Sequence, residues 1–329
     1  MSIDGLLVGC GEHARTVLVP VLQLCGVRLV AVCDTDPAAA EALAGIIGAR
    51  PYTDLADALA SHRLPVGIVA VPPMAHAGLV RRLVEGGLAV FVEKPGGYST
   101  WELSETLALS RQRGAVVQVG FMRRYAPAYR ILRSLLRSTS HASVQIRAAV
   151  GMAGGEEFFL KDVGVHLFDL VRFLVGDVRS VDVAVDQDQD GAPTWQALFS
   201  CVRGTATLLL SSAPGWGAPS EHAFAVAGTH SIEVTNMVEI IQSGAGRVSM
   251  ADDVARRFEA VTARLWRPNL TSPRLMNHTL YLEGYVGEID AFVRASSIGG
   301  PSTPDLGDAL AAMALAEEFL SASQLRCAP

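Results

Sequence analysis

The stretch that decides the fold is Gly9-Cys10-Gly11-Glu12-His13-Ala14, which follows the apolar residues Leu6–Val8 near the start of the chain. It has the pattern G-x-G-x-x-G/A between a predicted strand and a predicted helix. The glycines allow a tight turn and a close approach of the backbone to a pyrophosphate, and the N-terminus of the following helix attracts negative charge. The motif therefore predicts a dinucleotide-binding βαβ unit.

An acidic residue stands where such units contact the adenosine ribose. Asp34 ends the second predicted strand and lies 23 residues after Gly11. A carboxylate at this place accepts hydrogen bonds from the ribose hydroxyls and repels a 2′-phosphate. Thr35 follows, and no Arg or Lys comes next to neutralise that phosphate. The sequence predicts NAD(H) rather than NADP(H) as the cofactor, and an ordinary βαβ turn with an incidental aspartate is the alternative.

Strand-like and helix-like segments alternate over the first 120 residues. The predicted strands are Gly5–Val8, Arg28–Cys33, Val66–Val71, Ala89–Val92 and Ala115–Val119. The predicted helices are about His13–Leu24 with a bend at Pro20, Pro37–Ile47 capped by Asp36, one starting at Thr53 or Asp54, Ala75–Glu85 and Thr100–Arg113. Strands that are apolar throughout are buried on both faces, and alternation with helices makes the sheet parallel. We predict an α/β Rossmann domain with a doubly wound parallel sheet over residues 1–121.

The pattern changes after about residue 122. Helices are predicted at Pro127–Leu136, Asp162–Leu174, near Leu275–Arg294 and at Asp305–Ala322. Strands are predicted at Ser143–Val150, Ser180–Val185, Gln196–Val202, Thr205–Ser211, His222–Ala227, Ile232–Thr235 and Val238–Ile241. Turn signals at Arg203-Gly204 and Gly228-Thr229 predict hairpins. We predict an α+β domain with a large, mostly antiparallel sheet over residues 122–329, whose last helices are free to pack back on the first domain.

The composition excludes several classes of protein. The chain has 329 residues, too many for one small module, and half of them are apolar, which is not typical of disorder. A net charge of −6 disfavours binding to nucleic acid or to an anionic membrane. No apolar run approaches the roughly 18 residues of a membrane span. The first residues lack a secretion signal, and the five cysteines contain no C-x-x-C pair, so we expect a cytoplasmic protein without disulfides or zinc.

A second motif, Glu93-Lys94-Pro95, follows the predicted strand Ala89–Val92. In open α/β sheets the carboxyl ends of the strands face the ligand crevice, so Lys94 is placed where ligands bind. An ammonium group there can hold a substrate oxygen and stabilise negative charge that develops on it. A surface turn is the alternative interpretation of this triplet.

A third motif places Asp162 and His166 at the start of a predicted helix. On an α-helix these two residues and Asp169 share one face, so Asp162 can hydrogen-bond or orient His166. A histidine beside a carboxylate can move a proton near neutral pH. The alternative is an acidic helix N-terminus with a buried capping histidine. Two ligands without a third do not make a metal site, and we predict none.

Together these motifs resemble the Gfo/Idh/MocA oxidoreductases, which include glucose–fructose oxidoreductase and inositol dehydrogenase. The resemblance runs in order from about residue 3 to residue 295. It rests on the glycine turn, Asp34, the segment Pro72-Pro73…His76, Glu93-Lys94-Pro95, the helix with Asp162, His166 and Asp169, and Tyr285-x-x-Glu288-x-x-x-Phe292.

The resemblance implies an NAD(P)-dependent dehydrogenase or reductase that acts on CH–OH groups of a sugar or cyclitol, with the second domain forming a large open sheet. It implies that His166 exchanges a proton with the substrate hydroxyl, that Asp162 orients His166 and balances its charge, and that Lys94 binds the reacting oxygen. The implied cofactor-binding residues are Gly9, Gly11, Glu12, His13, Asp34, Pro72, His76, Glu93 and Lys94. The implied substrate-binding residues are Arg123, Asp162, His166 and Tyr285.

Two of these assignments have a structural alternative, and a third residue is expected to lie near the cofactor without a chemical role. Arg123 either hydrogen-bonds substrate hydroxyls or, with Arg124, starts the next helix while one of the two arginines pairs with a carboxylate. His76 either borders the nicotinamide or caps its helix. His13 lies in the first turn of the phosphate helix, close to the cofactor, and no chemical role is expected of it.

Two departures from the inositol dehydrogenase pattern bear on the substrate. The segment Ala148–Gly155, nearly free of hydrogen-bonding side chains, replaces a histidine–asparagine pair before the catalytic helix. Asn277 stands where an aromatic residue is typical. We therefore expect a substrate with fewer hydroxyls than myo-inositol, such as a deoxy or amino sugar or a modified cyclitol.

Three other functions suit the same resemblance. They are reduction of a nucleotide-activated keto-sugar, NAD-dependent glycosidase activity and non-catalytic regulation through bound NAD. The nucleotide-sugar branch often has tyrosine at the place of His166, which disfavours it here. A regulator has no need of Lys94, Asp162 and His166 together.

The partners that we predict are a polyol or keto-sugar substrate and further copies of this chain. The apolar strands between residues 196 and 241 would leave one sheet face without helices to cover it. A bare apolar face of this size risks aggregation unless another protein covers it, and in the family it pairs subunits. We therefore expect a homodimer or homotetramer.

Overall fold

A computed structural model describes residues 2–152, 154–214, 219–228, 230–245, 261–268 and 278–326. The chain divides into two compact units that do not follow a single cut in the sequence. The first unit comprises Met1–Tyr125, Leu160–Asp169 and Gly284–Glu318. The second comprises Ala126–Phe159, Leu170–Glu283 and Phe319–Pro329. The short segment that carries Asp162 and His166 is therefore part of the first unit.

The first unit is built on a six-stranded sheet. Its strands are β1 Ile3–Val8, β2 Val27–Cys33, β3 Arg50–Tyr52, β4 Val66–Val69, β5 Ala89–Glu93 and β6 Val117–Gly120. They lie in the order β3-β2-β1-β4-β5-β6, and every neighbouring pair is parallel. All four residues of β4 are buried, as in a strand covered on both faces. The predicted Rossmann fold is confirmed.

Helices wholly within the first unit are α1 Val19–Leu24, α2 Pro37–Ile47, α3 Leu55–Ser61, α4 His76–Glu85, α5 Thr100–Arg113 and α10 Tyr285–Ile298. Polar side chains start three of them. Asp36 accepts a hydrogen bond from Ala38 N at 2.9 Å to cap α2, as predicted, and Asp54 caps α3 through Ala56 N at 2.5 Å. Ser99 caps α5. These caps fix where each helix leaves the sheet.

The helix after the glycine loop differs from the prediction of one α-helix over about His13–Leu24. A π-helical segment, Ala14–Leu18, comes first, and α1 follows it. Pro20 lies in the first turn of α1, and its missing N–H interrupts the ladder of hydrogen bonds between residues four apart. A π turn, which joins residues five apart, precedes this gap.

The predicted late helix near Leu275–Arg294 is also corrected. Gly284 has a φ of 102°, a backbone conformation that ends one helix before the next begins. The short helix α9, Thr279–Leu282, therefore stands apart from α10, which starts at Tyr285. Residues 269–277, including Asn277, lie outside the described residues.

The second unit is built on an eight-stranded sheet. Its strands are β7 Ala142–Ala149, β8 Val178–Gln187, β9 Pro193–Cys201, β10 Gly204–Ser211, β11 Ser220–Ala227, β12 His230–Thr235, β13 Glu239–Ala245 and β14 Val261–Trp266. They lie in the order β14-β13-β12-β11-β7-β10-β9-β8, and only the β7–β10 pair among them is parallel. The predicted antiparallel sheet and both predicted hairpins are confirmed. The sequence did not predict β14, because its alternation spans six residues and no Gly or Pro marks its start.

One face of this sheet is packed by helices. Those of the unit include α6 Pro127–Arg137 and α7 Gly155–Phe159, while α8 Val165–Val175 and α11 Leu306–Arg326 contribute residues to both units. Trp195 of β9 stacks on Phe159 and donates a hydrogen bond from Nε1 to Ser323 Oγ at 2.8 Å. Phe199 stacks on Phe319. Buried and exposed residues alternate along β9, as in a strand with one face on a core.

Among the described helices, none is both long enough and apolar enough to cross a membrane.

Candidate active site

The glycine loop lies between β1 and the first π-helical segment. Gly9 has a φ of 99°, and a Cβ at this position would lie 2.1 Å from the carbonyl oxygen of Ala70, so only glycine fits. At Gly11 a Cβ would meet no described atom within 4 Å, so the backbone is open to a ligand on this side. Cys10 is buried in the turn, and burial raises the pKa of its thiol to about 12. The loop therefore presents backbone and no thiolate charge.

Asp34 holds the glycine loop from the end of β2. Its Oδ2 accepts a hydrogen bond from Cys10 N at 2.7 Å, and its Oδ1 accepts one from Asp36 N at 2.9 Å. Each carboxylate oxygen has a further lone pair, so Asp34 can still accept hydrogen bonds from ribose hydroxyls. The sequence analysis predicted the ligand contact and missed this structural task.

Lys94 lies just beyond the carboxyl end of β5 and pairs with Asp162. Its Nζ donates to Asp162 Oδ1 at 2.6 Å and to the Asp162 carbonyl oxygen at 3.2 Å. Both side chains are one-fifth exposed. Asp162 belongs to a second π-helical segment, Leu160–Gly164, which directly precedes α8. A charge-assisted hydrogen bond thus holds the ammonium group in a fixed place.

The chain has only two lysines: Lys161 belongs to this segment, and Lys94 bonds to it through Asp162. Lys161, next to Asp162, is buried, and its Nζ lies 4.7 Å from the centre of the Tyr98 ring. Tyr98 follows the turn after Lys94, and its N–H donates to Glu102 Oε2 at 2.7 Å. The cation–π contact therefore joins the segment that carries Asp162 to the turn that carries Lys94.

His166 lies in the first turn of α8, and the predicted hydrogen bond from Asp162 to its ring is not formed. Asp162 bonds to Lys94 instead, and among the described residues the buried Nδ1 of His166 has no hydrogen-bond partner. The physical reason is the π turn, whose residues stack five apart rather than four. Burial, with the positive charges of Arg123, Lys94 and His13, lowers the pKa of His166 well below its usual range. The imidazole is therefore neutral at neutral pH and can accept a proton.

A second imidazole–carboxylate pair, which the sequence analysis missed, joins His13 to Glu93. His13 Nε2 lies 3.1 Å from Glu93 Oε1, and this hydrogen bond raises the pKa of His13. The Tyr285 ring lies 5.9 Å from the His13 ring, centre to centre. Glu93 ends β5, and His13 lies in the helical turn that follows the carboxyl end of β1 in the same parallel sheet, which is the signal that could have predicted their contact.

Arg124 and Asp169 form an ion pair that has a structural role. Arg124 donates to Asp169 Oδ1 at 2.5 Å and Oδ2 at 2.8 Å, and to Asp308 Oδ2 at 3.1 Å. Asp169 is fully buried. The alternative in which one of the two arginines pairs with a carboxylate thus holds for Arg124. Arg123 places its Nη1 3.6 Å from Met122 Sδ and acts on His166 through its charge.

Two further titratable side chains are buried beneath the site. His76 begins α4, and its Nε2 lies 2.8 Å from the carbonyl oxygen of Val71. Glu288 is fully buried on α10, and within the described chain neither of its carboxylate oxygens has a hydrogen-bond partner. Burial, followed by the negative charges of Glu93 and Asp169, raises the pKa of Glu288 well above its usual range. Burial therefore favours the protonated form of Glu288, which the residue type alone would not predict.

A cavity of about 450 Å³ in the first unit brings most of the predicted site residues together. Its described wall consists of Gly11, Glu12, His13, Ala14, Ala70, Val71, Pro72, Pro73, Glu93, Lys94, Gly120, Met122, Asp162, His166 and Tyr285. Among the predicted residues that the structure describes, Gly9, Asp34, His76 and Arg123 are not on this wall. Gly9 and Asp34 shape the glycine loop, and His76 bonds to wall residue Val71. In the described part of the chain, no group of three or more His, Cys, Asp or Glu side chains is arranged to hold a metal ion.

Comparison with known proteins places this geometry in a family. The family described as "Oxidoreductase family, NAD-binding Rossmann fold" (GFO_IDH_MocA) matches residues 3–121. Inositol 2-dehydrogenase of Rhizobium meliloti (strain 1021) is 28% identical over 347 residues, which cover 96% of this chain and 96% of that protein. The predicted resemblance to the Gfo/Idh/MocA oxidoreductases is thus confirmed, by the family match over residues 3–121 and by a relative similar along nearly the whole chain.

Solved structures share the fold of this chain along nearly its whole length. A dehydrogenase from Chromobacterium violaceum is similar with a TM-score of 0.86 at 23% identity, covering 99% of this chain and 96% of that one. An oxidoreductase from Agrobacterium radiobacter, in complex with NAD+, L-tartaric acid and magnesium, is similar with a TM-score of 0.82 at 18% identity, covering 98% and 97%.

The residues of the glycine loop and of the end of β2 fit a dinucleotide. Gly11 leaves its side of the loop open, and the helical turn that follows starts with Glu12 and His13. The first N–H groups of a helix have no partner within it and point at whatever lies beyond the N-terminus. Asp34 keeps free lone pairs at the end of β2. The loop, the helix start and the carboxylate are thus arranged as a pyrophosphate and a ribose require.

Proposed function

We propose that this chain is an NAD(H)-dependent oxidoreductase that transfers hydride between nicotinamide and a secondary alcohol or ketone carbon of a sugar or cyclitol. The observation that carries the proposal is that Lys94, Asp162 and His166 line the same cavity as the glycine loop, with Lys94 Nζ 2.6 Å from Asp162 Oδ1. A cation and a neutral base beside a dinucleotide loop are the groups that alcohol oxidation needs.

Gly9, Gly11, Glu12, His13 and Asp34 would hold the cofactor, and Pro72 and Glu93 border the same space. When bound, the nicotinamide supplies a hydride acceptor or donor. The protein must hold the substrate oxygen and move one proton. Lys94 is suited to hold the oxygen, because its ammonium group is fixed by Asp162 and stabilises negative charge on an alkoxide.

His166 is suited to take the substrate's hydroxyl proton in the oxidising direction and to return it in the reducing direction. Its lowered pKa keeps it neutral, so it has a lone pair for the proton. Asp162 neutralises the Lys94 charge and does not bond to His166 in this structure. We therefore assign Asp162 to positioning Lys94, a change from the predicted role of orienting the histidine.

We further propose that the substrate carries fewer hydroxyls than myo-inositol. The support comes from sequence, since Ala148, Ala149, Val150, Gly151 and Met152 offer no hydrogen-bonding side chain where inositol dehydrogenases typically have a histidine and an asparagine. Ala153 and Asn277 lie outside the described residues.

A panel of polyols, deoxy and amino sugars, cyclitols and their keto forms, assayed at 340 nm with NAD(H) and NADP(H), tests the proposal. We expect turnover with at least one deoxygenated or amino-substituted member and with NAD(H). Rates with myo-inositol like those of dedicated inositol dehydrogenases would contradict the substrate class. Release of a sugar without net change in absorbance would indicate a glycosidase, and turnover of nucleotide-sugars alone would indicate the ketoreductase alternative.

The cofactor preference depends on Asp34. Replacing it with Ala (Asp34→Ala) removes the acceptor for ribose hydroxyls and the hydrogen bond to Cys10 N, so we expect KM for NAD to rise about 10- to 100-fold, since hydrogen bonds to a charged group contribute roughly 1.5–3 kcal/mol. Asp34→Asn keeps the shape and removes the charge that repels a 2′-phosphate, so discrimination against NADP should weaken. Steady-state kinetics with both cofactors measure both effects, and an unchanged NAD/NADP ratio in Asp34→Asn would refute this role.

We also propose that the chain forms a homodimer or homotetramer through the outer face of the second unit's sheet. One row across that face runs Asp182, Leu198, Thr207, Gln145, Phe224, Glu233, Ile241 and Leu265, and four of these are large exposed apolar side chains. Covering such a face removes apolar surface from water. Light scattering at micromolar concentration should show an oligomer that Leu198→Glu weakens, whereas a monomeric wild type would contradict the proposal.

A further inference from the structure

His13 occupies an unusual electrostatic position in the cavity. Its ring is 44% exposed, hydrogen-bonds to Glu93 and packs near Tyr285 of α10. The other charged or titratable groups that face it are Lys94 beyond β5, Asp162 of the second π-helical segment and His166 of α8. Glu12 is next to it in the chain and exposed, so water and salt screen its charge.

Within the group of Lys94, Asp162, His13, Glu93 and His166, the charges balance only while His13 is protonated. Lys94 and Asp162 form one neutral pair, protonated His13 and Glu93 form another, and His166 is uncharged. Loss of the His13 proton leaves the Glu93 carboxylate without its cation. The group of five side chains then carries one net negative charge.

We propose that His13 makes the relative affinity of this site for oxidised and reduced nicotinamide cofactor depend on pH. This inference rests on the proposed function. The oxidised ring carries a fixed positive charge and the reduced ring does not, so a neutral His13 beside Glu93 favours NAD+, and a protonated His13 disfavours it. Binding of NAD+ therefore expels the His13 proton to solvent, and binding of NADH does not.

The two effects are linked quantitatively. If NAD+ lowers the pKa of His13 by one unit, deprotonation of His13 must strengthen NAD+ binding about tenfold. The ratio Kd(NAD+)/Kd(NADH) therefore falls as pH rises through the His13 pKa, which the Glu93 hydrogen bond sets above the ordinary histidine value. This pH dependence of cofactor affinity favours alcohol oxidation at higher pH and ketone reduction at lower pH.

The test measures binding and protons rather than turnover. Wild type is mixed with NAD+ or NADH in weak buffer containing a pH indicator, and both Kd values are measured by fluorescence titration from about pH 6 to 9. We expect proton release with NAD+ alone and a ratio that falls about tenfold or more. His13→Gln should release no proton and give a flat ratio, and the matched control His62→Gln, whose ring bonds to Tyr52 Oη at 2.9 Å, should behave as wild type.

Histidine NMR of the wild type keeps the proposal testable if His13→Gln does not fold. The His13 resonance should titrate at a lower pH with saturating NAD+ than without it, and NADH should move it far less. Proton release by His13→Gln equal to wild type, or a His13 titration that NAD+ does not move, would overturn the inference alone. If neither cofactor binds, the proposed function fails, and this inference fails with it.

Discussion

Lys94→Met should lower kcat by about 10²–10³-fold or more while NADH affinity stays within about twofold of wild type, because removal of one donor to a developing alkoxide costs that much in enzymes of known mechanism. Methionine keeps most of the side chain's length and volume but offers no charge and no donor. Asp162 would lose its cation. Stopped-flow absorbance at 340 nm gives the rate, and NADH fluorescence gives the affinity.

The chain offers a matched control, since Lys161 is its one other lysine. Lys161→Met removes an equal charge from the neighbouring segment, where the ammonium group lies against the Tyr98 ring rather than against Asp162. We expect this variant to keep most of its turnover. Equal losses in the two variants would mean that general electrostatics or packing, rather than contact with the reacting oxygen, explains the Lys94 effect. Full activity in Lys94→Met would refute the proposed role.

His166→Asn should lower kcat by about 10²–10⁴-fold, the usual contribution of a general acid or base. At saturating NAD+, the wild-type oxidation rate should fall only at acid pH, below the ordinary histidine range, because burial and neighbouring positive charges lower the pKa of His166. Oxidation needs the neutral His166 ring as proton acceptor, so the rate is lost as pH falls through that lowered pKa. His166→Asn should lack this acid limb.

A second variant tests whether the acid limb reports the titration of His166 while leaving the His166 side chain in place. Arg123→Gln removes one of the positive charges that lower the pKa of His166, so the acid limb of kcat/KM for the substrate, measured at saturating NAD+, should move to higher pH. Its Kd for NADH should change little, because Arg123 is not on the described cavity wall. An acid limb that does not move in Arg123→Gln, or that survives in His166→Asn, would assign the titration to another group.

The parts of the fold that the sequence predicted are those fixed by local pattern. Five of the six parallel strands followed from continuous apolar runs, and the antiparallel sheet followed from alternation and from turn residues such as Arg203-Gly204. The short strand β3, Arg50–Tyr52, was not predicted, because three residues that include a proline form no apolar run. The two π-helical segments could not be predicted, because hydrophobic spacing of three and four residues does not distinguish an α turn from a wider one. Because of this difference, Asp162 bonds to Lys94 and not to His166, the partner that α-helical spacing predicted.

The sequence predicted which residues line the site better than it predicted the hydrogen bonds between them. Lys94, Asp162, His166 and Tyr285 do line one cavity. His13 and Glu93 are 80 residues apart in sequence, and their hydrogen bond depends on strand order that no local pattern contains. The raised pKa of Glu288 likewise depends on burial, since a glutamate at that helical position in the sequence gives no sign of its surroundings.

The most direct test of the central claim is whether hydrogen passes from the nicotinamide to the substrate carbon. The enzyme is incubated with NADH deuterated at C4 on either face and with the panel of keto-sugars and keto-cyclitols, and the alcohols formed are analysed by mass spectrometry and NMR. We expect one deuterium on the carbinol carbon from one of the two labelled cofactors, and incorporation at least about 100-fold slower with Lys94→Met. Cofactor binding without deuterium in any product of the wild type would contradict it.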